Sequence, residues 1–134
     1  MKRTRIKPMS SARAADLEHR AAVRIQVFNP HGRRRLAGSL LGPCIGPLTP
    51  HHLWKEGQGG PYIMGNLLSV CEGHNGGVET MPRADAEALG LVLARRVALA
   101  VMWRRLVAAG IVDYWHDGTP ASQPQPDLDI VRLL

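Results

Sequence analysis

Aromatic residues and cysteines are scarce in this sequence. Aromatics make up 4% of its 134 residues, whereas hydrophobic residues of all kinds make up 45%. We therefore expect aliphatic helices to supply most of a modest core within one compact domain. The two cysteines, Cys44 and Cys71, have metal-like spacing to histidine, which favours ligation in a reducing compartment over a disulfide.

Long apolar runs are also missing. No uninterrupted stretch of about 18 apolar residues occurs, so no segment is predicted to span a membrane. The basic N-terminus lacks the apolar stretch that follows it in a signal peptide. These absences, together with the cysteine usage, predict a protein that acts in the cytoplasm.

Acidic residues are few near the N-terminus. Residues 1–35 contain ten lysines and arginines against two carboxylates, a net charge of +8. The remaining 99 residues hold seven basic and nine acidic residues, a net charge of −2. A basic end on a near-neutral body is typical of a protein that binds a polyanion. A solvated tail that binds nothing specific is the alternative.

The N-terminal region predicts an arm and a helix. A basic arm, residues 1–9, precedes a helix that Ser10 or Ser11 can cap and that ends near Phe28. One apolar face of this helix is predicted to consist of Leu17, Ala21, Ile25 and Phe28. This helix opens a single predicted domain over residues 10–110.

The C-terminal half predicts a second helical region and a tail. The run after Pro82 is strongly helical, with Gly90 able to divide it and Gly110 at its end. One face of the run would hold Leu89, Leu93, Val97 and Ala100. Residues 111–134 are predicted to be a flexible tail, because 116–127 have the composition of a disordered linker.

Residues 44–82 predict a hairpin followed by a helix. Strands are expected over Leu48–Trp54 and Leu67–Cys71, joined by a glycine-rich loop. A helix should begin near His74, although Gly76-Gly77 disfavours it. The predicted fold is therefore α+β, with a small irregular β-hairpin plus helix flanked by N-terminal and C-terminal helices.

The same stretch gathers side chains that bind metals or move protons. It holds both cysteines and three of the six histidines, and it includes the adjacent pair His51-His52. Hydrolysis of a phosphodiester needs a base, a water nucleophile and positive charge beside the phosphate. Adjacent side chains of an extended segment point to opposite sides, so one imidazole can bind a metal while the other faces the water.

The motifs HHLWKEGQGG, NLLSVC and CEGHN, with the eleven-residue spacing from Cys71 to Pro82, resemble the HNH endonuclease family. The similarity is greatest to the small HNH proteins of bacteriophages and prophages. It covers roughly residues 1–93, most strongly 44–82. It implies a ββα-metal finger that cuts DNA, with a core over residues 44–82.

The resemblance implies a role for each polar residue of the finger. His51 matches the metal ligand, His52 the general base, and Asn66 the asparagine that bonds across the loop and holds the base in place. Asn75 matches a metal-binding position, and Glu79, one turn later, matches a further ligand. Asparagine and glutamate at places where histidine is common favour Mg²⁺ or Mn²⁺ over Zn²⁺ there.

Two alternatives concern His74. A slip of one residue in the alignment would make His74 the catalytic ligand. Without the slip, His74 takes a ligand position in a structural zinc knuckle with Cys44 and Cys71, and His31 is the nearest candidate for the fourth ligand. A metal-free finger with the two cysteines merely buried is the competing interpretation.

The leading hypothesis is a metal-dependent endonuclease that acts on duplex DNA. The basic side chains expected to contact phosphates are Lys2, Arg3, Arg5, Lys7, Arg33, Arg34 and Arg35. Phage relatives suggest packaging proteins as partners, or a role in homing or recombination. A catalytically degenerate finger that only binds DNA or a protein is the alternative, and RNA cleavage is disfavoured because no aromatic stacking platform is present.

Overall fold

A computed structural model describes residues 8–28 and 42–128 of the chain. The predicted DNA-contacting residues at positions 2–7 and 33–35, and the predicted zinc ligand His31, lie outside these ranges. The described part is a mixed α+β fold with four α-helices and one two-stranded antiparallel sheet. Its elements are α1 (Ser11–Phe28), β1 (Leu48–His52), β2 (Leu67–Cys71), α2 (Glu72–Thr80), α3 (Arg83–Leu89) and α4 (Leu99–Ala108).

The hairpin forms where the sequence predicts it. Strands β1 and β2 pair antiparallel, from Leu48 opposite Cys71 to His52 opposite Leu67. Strand β2 has the predicted bounds, whereas β1 ends two residues early. The reason is that the backbone N–H and C=O of Trp54 bond to the side chain of Asn66 and not to a neighbouring strand.

Helix α2 begins two residues before the predicted start and runs through Gly76 and Gly77. The Cys71 sulfur accepts the backbone N–H of His74 at 3.3 Å and so caps the helix. His74 and Val78 are the buried residues of α2, so this side of the helix packs on the hairpin. A Cβ built at either glycine would meet nothing within 4 Å, so no close packing requires glycine there.

The predicted helical run after Pro82 is divided at Gly90, as expected. Gly90 has φ +84°, and its N–H ends α3 by bonding to the preceding turn. A Cβ there would lie 2.4 Å from the carbonyl oxygen of Met102. Residues 90–98 are not helical, so the predicted continuous face does not form. Leu91 and Leu93 instead enter the core from an irregular segment.

The main core surrounds Trp103 of α4, which is 1% exposed and donates its indole N–H to the carbonyl of Gly65 at 2.8 Å. The predicted apolar face of α1 is wrong for Leu17 and Ile25, which are 44% and 64% exposed, whereas its last residue, Phe28, is partly buried. Helix α1 packs through the opposite stripe, in a small separate cluster formed by Val23, Val27 and Leu67 with Phe28, Tyr62 and Met64 at its margin.

The predicted flexible tail is folded over its described part, residues 111–128. Trp115 is buried in the main core and donates from Nε1 to the carbonyl of Gln123 at 2.8 Å. Gln125 donates to the carbonyl of Ala100 in α4 at 2.8 Å. The prediction of a flexible tail is wrong for these residues. Large apolar side chains in residues 111–115 pack into the core and hold the polar, proline-rich residues 116–127 against the fold. None of the helices in the two described ranges is long and apolar enough to cross a membrane.

Candidate metal and catalytic site

His51 and Asn75 meet between β1 and α2. His51 is 2% exposed, and its Nδ1 lies 3.1 Å from Asn75 Oδ1. Its other ring nitrogen, Nε2, lies 2.7 Å from the carbonyl oxygen of Leu91. The structure therefore brings together two of the residues that the sequence predicts as metal ligands, and adds a backbone carbonyl that fixes the orientation of the imidazole.

The protonation of His51 follows from these contacts. Burial lowers the pKa of His51, so the imidazole is neutral and carries one proton. A carbonyl oxygen can only accept, so that proton is on Nε2 and is donated to Leu91. Nδ1 then turns its lone pair toward the Asn75 amide, 3.1 Å away. This amide can donate a hydrogen bond to Nδ1 through its NH₂ group or, with its oxygen turned to the same side, share a cation with Nδ1.

The separation of these two atoms can be compared with that of two ligands on one metal ion. Mg²⁺ binds ligands at about 2.0–2.1 Å in octahedral geometry, so two neighbouring ligands lie roughly 3 Å apart. The observed separation of 3.1 Å agrees. A histidine ligand that donates its second ring nitrogen to a carbonyl is also the usual arrangement at metal sites.

His52 does not join His51 and Asn75. It lies opposite Leu67 in the hairpin and faces α1, whereas His51 lies opposite Leu68 and faces the main core. Its ring packs edge-on against Tyr62 with ring centroids 5.5 Å apart. Its Nε2 is buried and has no hydrogen-bond partner in the described part of the chain. Burial lowers the pKa of His52, which keeps this imidazole neutral near pH 7 as a base requires.

Asn66 bonds across the loop, as predicted. It is fully buried, and its Oδ1 accepts the backbone N–H of Trp54 at 2.8 Å. Its Nδ2 donates to the carbonyls of Trp54 and Pro61, at 2.9 Å each. The backbone N–H of Leu53, next to His52, bonds to the Asn66 carbonyl at 3.0 Å. These four bonds tie the loop to the end of β1 that carries both histidines.

Glu79 is paired with Lys55. Its carboxylate accepts a hydrogen bond from the Lys55 ammonium. That bond, together with the positive charge of Lys55, lowers the pKa of Glu79. Glu79 therefore lies near the His51–Asn75 pair but is held by a lysine, so its role as a metal ligand stays a prediction.

Cys44, Cys71 and His74 form a second cluster, and its ligand atoms all lie within 4.8 Å of one another. His74 Nδ1 lies 3.8 Å from Cys44 Sγ, and His74 Nε2 donates to the carbonyl of Gly42 at 2.7 Å. His74 thus faces the cysteines, whereas Asn75 faces His51. These three residues could hold a metal ion.

Sequence reasoning missed the residues that support these clusters. The carbonyls of Leu91 and Gly42 orient the two histidines, and no side-chain pattern marks a backbone acceptor. Lys55 could have been noticed, because it is the only lysine after the N-terminal arm and stands within the motif. No family model, curated protein or solved structure matches the chain.

Proposed function

We propose that the protein is a metal-dependent DNA endonuclease of the HNH type. The observation that carries the proposal is the neutral His51, whose Nδ1 faces Asn75 Oδ1 at 3.1 Å while Nε2–H is donated to Leu91. The lone pair of His51 Nδ1 and the amide oxygen of Asn75 can act as two ligands of one cation, and the amide oxygen suits Mg²⁺ or Mn²⁺. When bound, such an ion supplies positive charge beside the scissile phosphate.

The residues of the chain supply the remaining parts of the reaction. Within the described residues β1 pairs only with β2, so its other edge has no strand partner there. His51 and His52 flank this edge from the two faces of the strand. A neutral His52 that keeps its proton on the enclosed Nε2 has a lone pair on Nδ1, which can accept a proton from the attacking water. Asn66 holds the strand end in position.

We further propose zinc as the ion for Cys44, Cys71 and His74. Thiolate and imidazole ligands favour zinc, and tetrahedral zinc with bonds of about 2.0–2.3 Å holds its ligands roughly 3.5–3.8 Å apart. The separation of Cys44 Sγ and His74 Nδ1, 3.8 Å, is of this size. An ion there would join the segment before β1 to the first turn of α2. It would stabilise the folded chain and take no part in DNA cleavage.

Cleavage of supercoiled plasmid DNA with Mg²⁺ or Mn²⁺ tests the proposal. His52→Ala should lower the rate by about 10²- to 10⁴-fold, because it removes the base. Asn75→Ala should lower it about 10- to 100-fold through weaker metal binding. His19→Gln is the matched control, because it changes an exposed histidine of α1 and keeps a donor for the Tyr62 carbonyl that His19 contacts at 2.9 Å. It should keep the wild-type rate. Equal rates for wild type and His52→Ala would refute the assignment of the base.

A second function, DNA binding without cleavage, is favoured by one observation. His52 lies on the opposite face of β1 from the His51–Asn75 pair, with Nε2 enclosed against the hairpin. If wild type and His52→Ala are equally inactive with both metals while DNA binding is retained, the finger is a binding module.

A further inference from the structure

A tight turn between α3 and α4 exposes two consecutive arginines. The carbonyl of Ala94 accepts the backbone N–H of Val97 at 3.2 Å, which closes a β-turn with Arg95 and Arg96 at its centre. Both arginines are exposed. Neither side chain makes a hydrogen bond or ion pair with any residue in the ranges 8–28 and 42–128. The Arg95–Arg96 turn therefore presents two positive charges that no residue of these ranges pairs with.

The chain around this turn carries charge of one sign. Residues 88–112 contain four arginines and no acidic residue. Elsewhere in the described fold, the carboxylates of Glu56, Glu79 and Glu87 are already paired with other basic side chains. An unpaired excess of positive charge at an exposed turn suits a polyanion.

Arg96 also occupies an unfavourable backbone conformation. Its φ is +61°, and it is the one residue other than glycine with a positive φ in the two described ranges. A positive φ at the second central residue alone is the pattern of a type II turn, in which glycine or asparagine is usual there. A residue with a long side chain is less stable in this conformation. Such residues occur often at binding sites, and no contact of the Arg96 side chain within the described residues offsets the strain.

Hydrogen bonds attach the segment before the turn to the end of β1. The Leu91 carbonyl accepts from His51 at 2.7 Å, and the Leu93 N–H donates to the Leu53 carbonyl at 2.8 Å. Arg96 follows Leu91 by five residues, which is at most about 18 Å of extended chain. A DNA strand advances about 3.4 Å per nucleotide along the helix axis. The turn thus lies within about five nucleotides of His51, close enough for one bound duplex to contact both.

We propose that the Arg95–Arg96 turn binds phosphates of duplex DNA near the proposed active site, with the two guanidinium groups as charged donors. The choice of DNA as the polyanion rests on the proposed function. Contacts to phosphate carry no sequence information, so the turn should contribute equally to the binding of any duplex. Binding does not require cleavage, so it can be measured with no metal present.

The test is the affinity for two short duplexes of unrelated sequence, measured by fluorescence anisotropy in EDTA between about 50 and 200 mM salt. Arg95→Gln and Arg96→Asn should each weaken binding about three- to tenfold and reduce the magnitude of the slope of log K against log salt by about one, for both duplexes. Arg13→Gln is the matched control. It removes an equal charge from an exposed position of α1, which packs on the opposite face of the hairpin from Leu91 and Leu93, and it should leave the slope unchanged.

Thermal unfolding separates a binding role of Arg96 from a structural one. Asparagine tolerates a positive φ better than arginine does. Arg96→Asn should therefore raise the midpoint of thermal unfolding by about 2–4 °C while it weakens DNA binding. Arg95→Gln should leave the midpoint within about 1 °C of the wild type. A lower midpoint for Arg96→Asn would show that this arginine stabilises the fold, which would overturn the proposal.

Equal losses of affinity for Arg95→Gln and Arg13→Gln would also overturn it, because net charge alone would then attract the DNA. So would an unchanged affinity for either variant of the turn. A polyglutamate peptide that binds as tightly as the duplex and loses the same affinity in both variants would assign the turn to acidic polypeptides instead. An inactive protein with the expected binding pattern would refute the nuclease alone, whereas an active nuclease without that pattern would refute the role of the turn alone.

Discussion

Two consecutive residues of α2, His74 and Asn75, face two different candidate metal positions, and each position contains a histidine held in the same way. His74 and His51 both donate from Nε2 to a backbone carbonyl, those of Gly42 and Leu91, at 2.7 Å in each case. Each therefore turns Nδ1 toward a second ligand atom. The difference between the two positions lies in that atom, which is sulfur for His74 and an amide oxygen for His51.

The second ligand decides what each position is suited to do. Two sulfurs and an imidazole favour a tightly held zinc ion, which contributes to folding. An imidazole and an amide oxygen favour a weakly held hard ion that keeps several waters and can contact a substrate. In the proposed function, one residue step along α2 thus separates the position of a structural ion from the position of a catalytic ion.

The largest expected effect follows from removing a sulfur. Cys71→Ser keeps an oxygen that can accept the His74 N–H at the start of α2 but removes a thiolate. We expect bound zinc to fall from about one ion per chain to near zero, and the free energy of unfolding to fall by about 4 kcal/mol. Elemental analysis and urea denaturation measure the two quantities.

A chelator provides the control for this change. It should destabilise the wild type by a similar amount and leave Cys71→Ser unaffected, because the variant has no ion to lose. A wild-type protein that carries no zinc after purification from zinc-supplemented medium would contradict the prediction. The contrast between the two positions would then reduce to one candidate cation position, at His51 and Asn75, beside two free cysteines that hold no ion.

A smaller effect is expected from acid. Burial lowers the pKa of His51 and of His52, so the unfolded chain binds protons first as the pH falls. Their contribution to stability is complete above the ordinary histidine pKa of about 6.5 and is lost as the pH falls from there toward the lower folded-state values. The loss is at most about 1.4 kcal/mol per pH unit for each histidine.

Urea denaturation in EDTA between pH 7.5 and 5 measures this loss without bound metal. His51→Gln should flatten the dependence, because glutamine does not titrate. His19→Gln, at an exposed position, should keep the wild-type dependence. A stability that is constant over this range would show that folding lowers the pKa of neither histidine. A stability that rises as the pH falls would show that His51 gains a proton on folding, which would contradict the cation position at Nδ1.

The hairpin could be predicted from the sequence because its signals are local. Asn66 heads an apolar run after a glycine-rich loop, and its amide bonds within twelve residues of its own position. The pairing of His51 with Asn75 was expected only from family resemblance, and spacing alone would not indicate it. The hydrogen bond from His51 to the Leu91 carbonyl, forty residues away, could not be predicted. Every residue has a backbone carbonyl, so residue type does not indicate which one will accept.

The face of α1 and the C-terminal segment were predicted wrongly for physical reasons. Helix α1 has two apolar stripes, and the spacing of apolar residues does not indicate which stripe packs against the rest of the fold. Val23 and Val27 are buried because Leu67 lies opposite them, whereas Ile25 faces away. Proline and glycine in residues 116–127 resemble a disordered linker, but Trp115 fixes this segment through a ring buried beside α4.

The smallest effect we predict concerns the ion pair between Lys55 and Glu79. Lys55→Gln would release the carboxylate, which lies one turn after Asn75 on α2, toward an ion held by His51. We expect Mn²⁺ affinity, measured by electron paramagnetic resonance, to rise about two- to fivefold.

Stability should change by less than about 0.5 kcal/mol, because the Lys55–Glu79 pair is partly exposed. The matched control, Arg83→Gln, breaks the surface pair between Arg83 and Glu87 and should change neither quantity. A fall in Mn²⁺ affinity would mean that Lys55 positions Glu79 for the ion and does not compete with it. An unchanged affinity would leave Glu79 an ordinary solvated residue, and His51 and Asn75 would then be the only side chains of the described residues assigned to that ion.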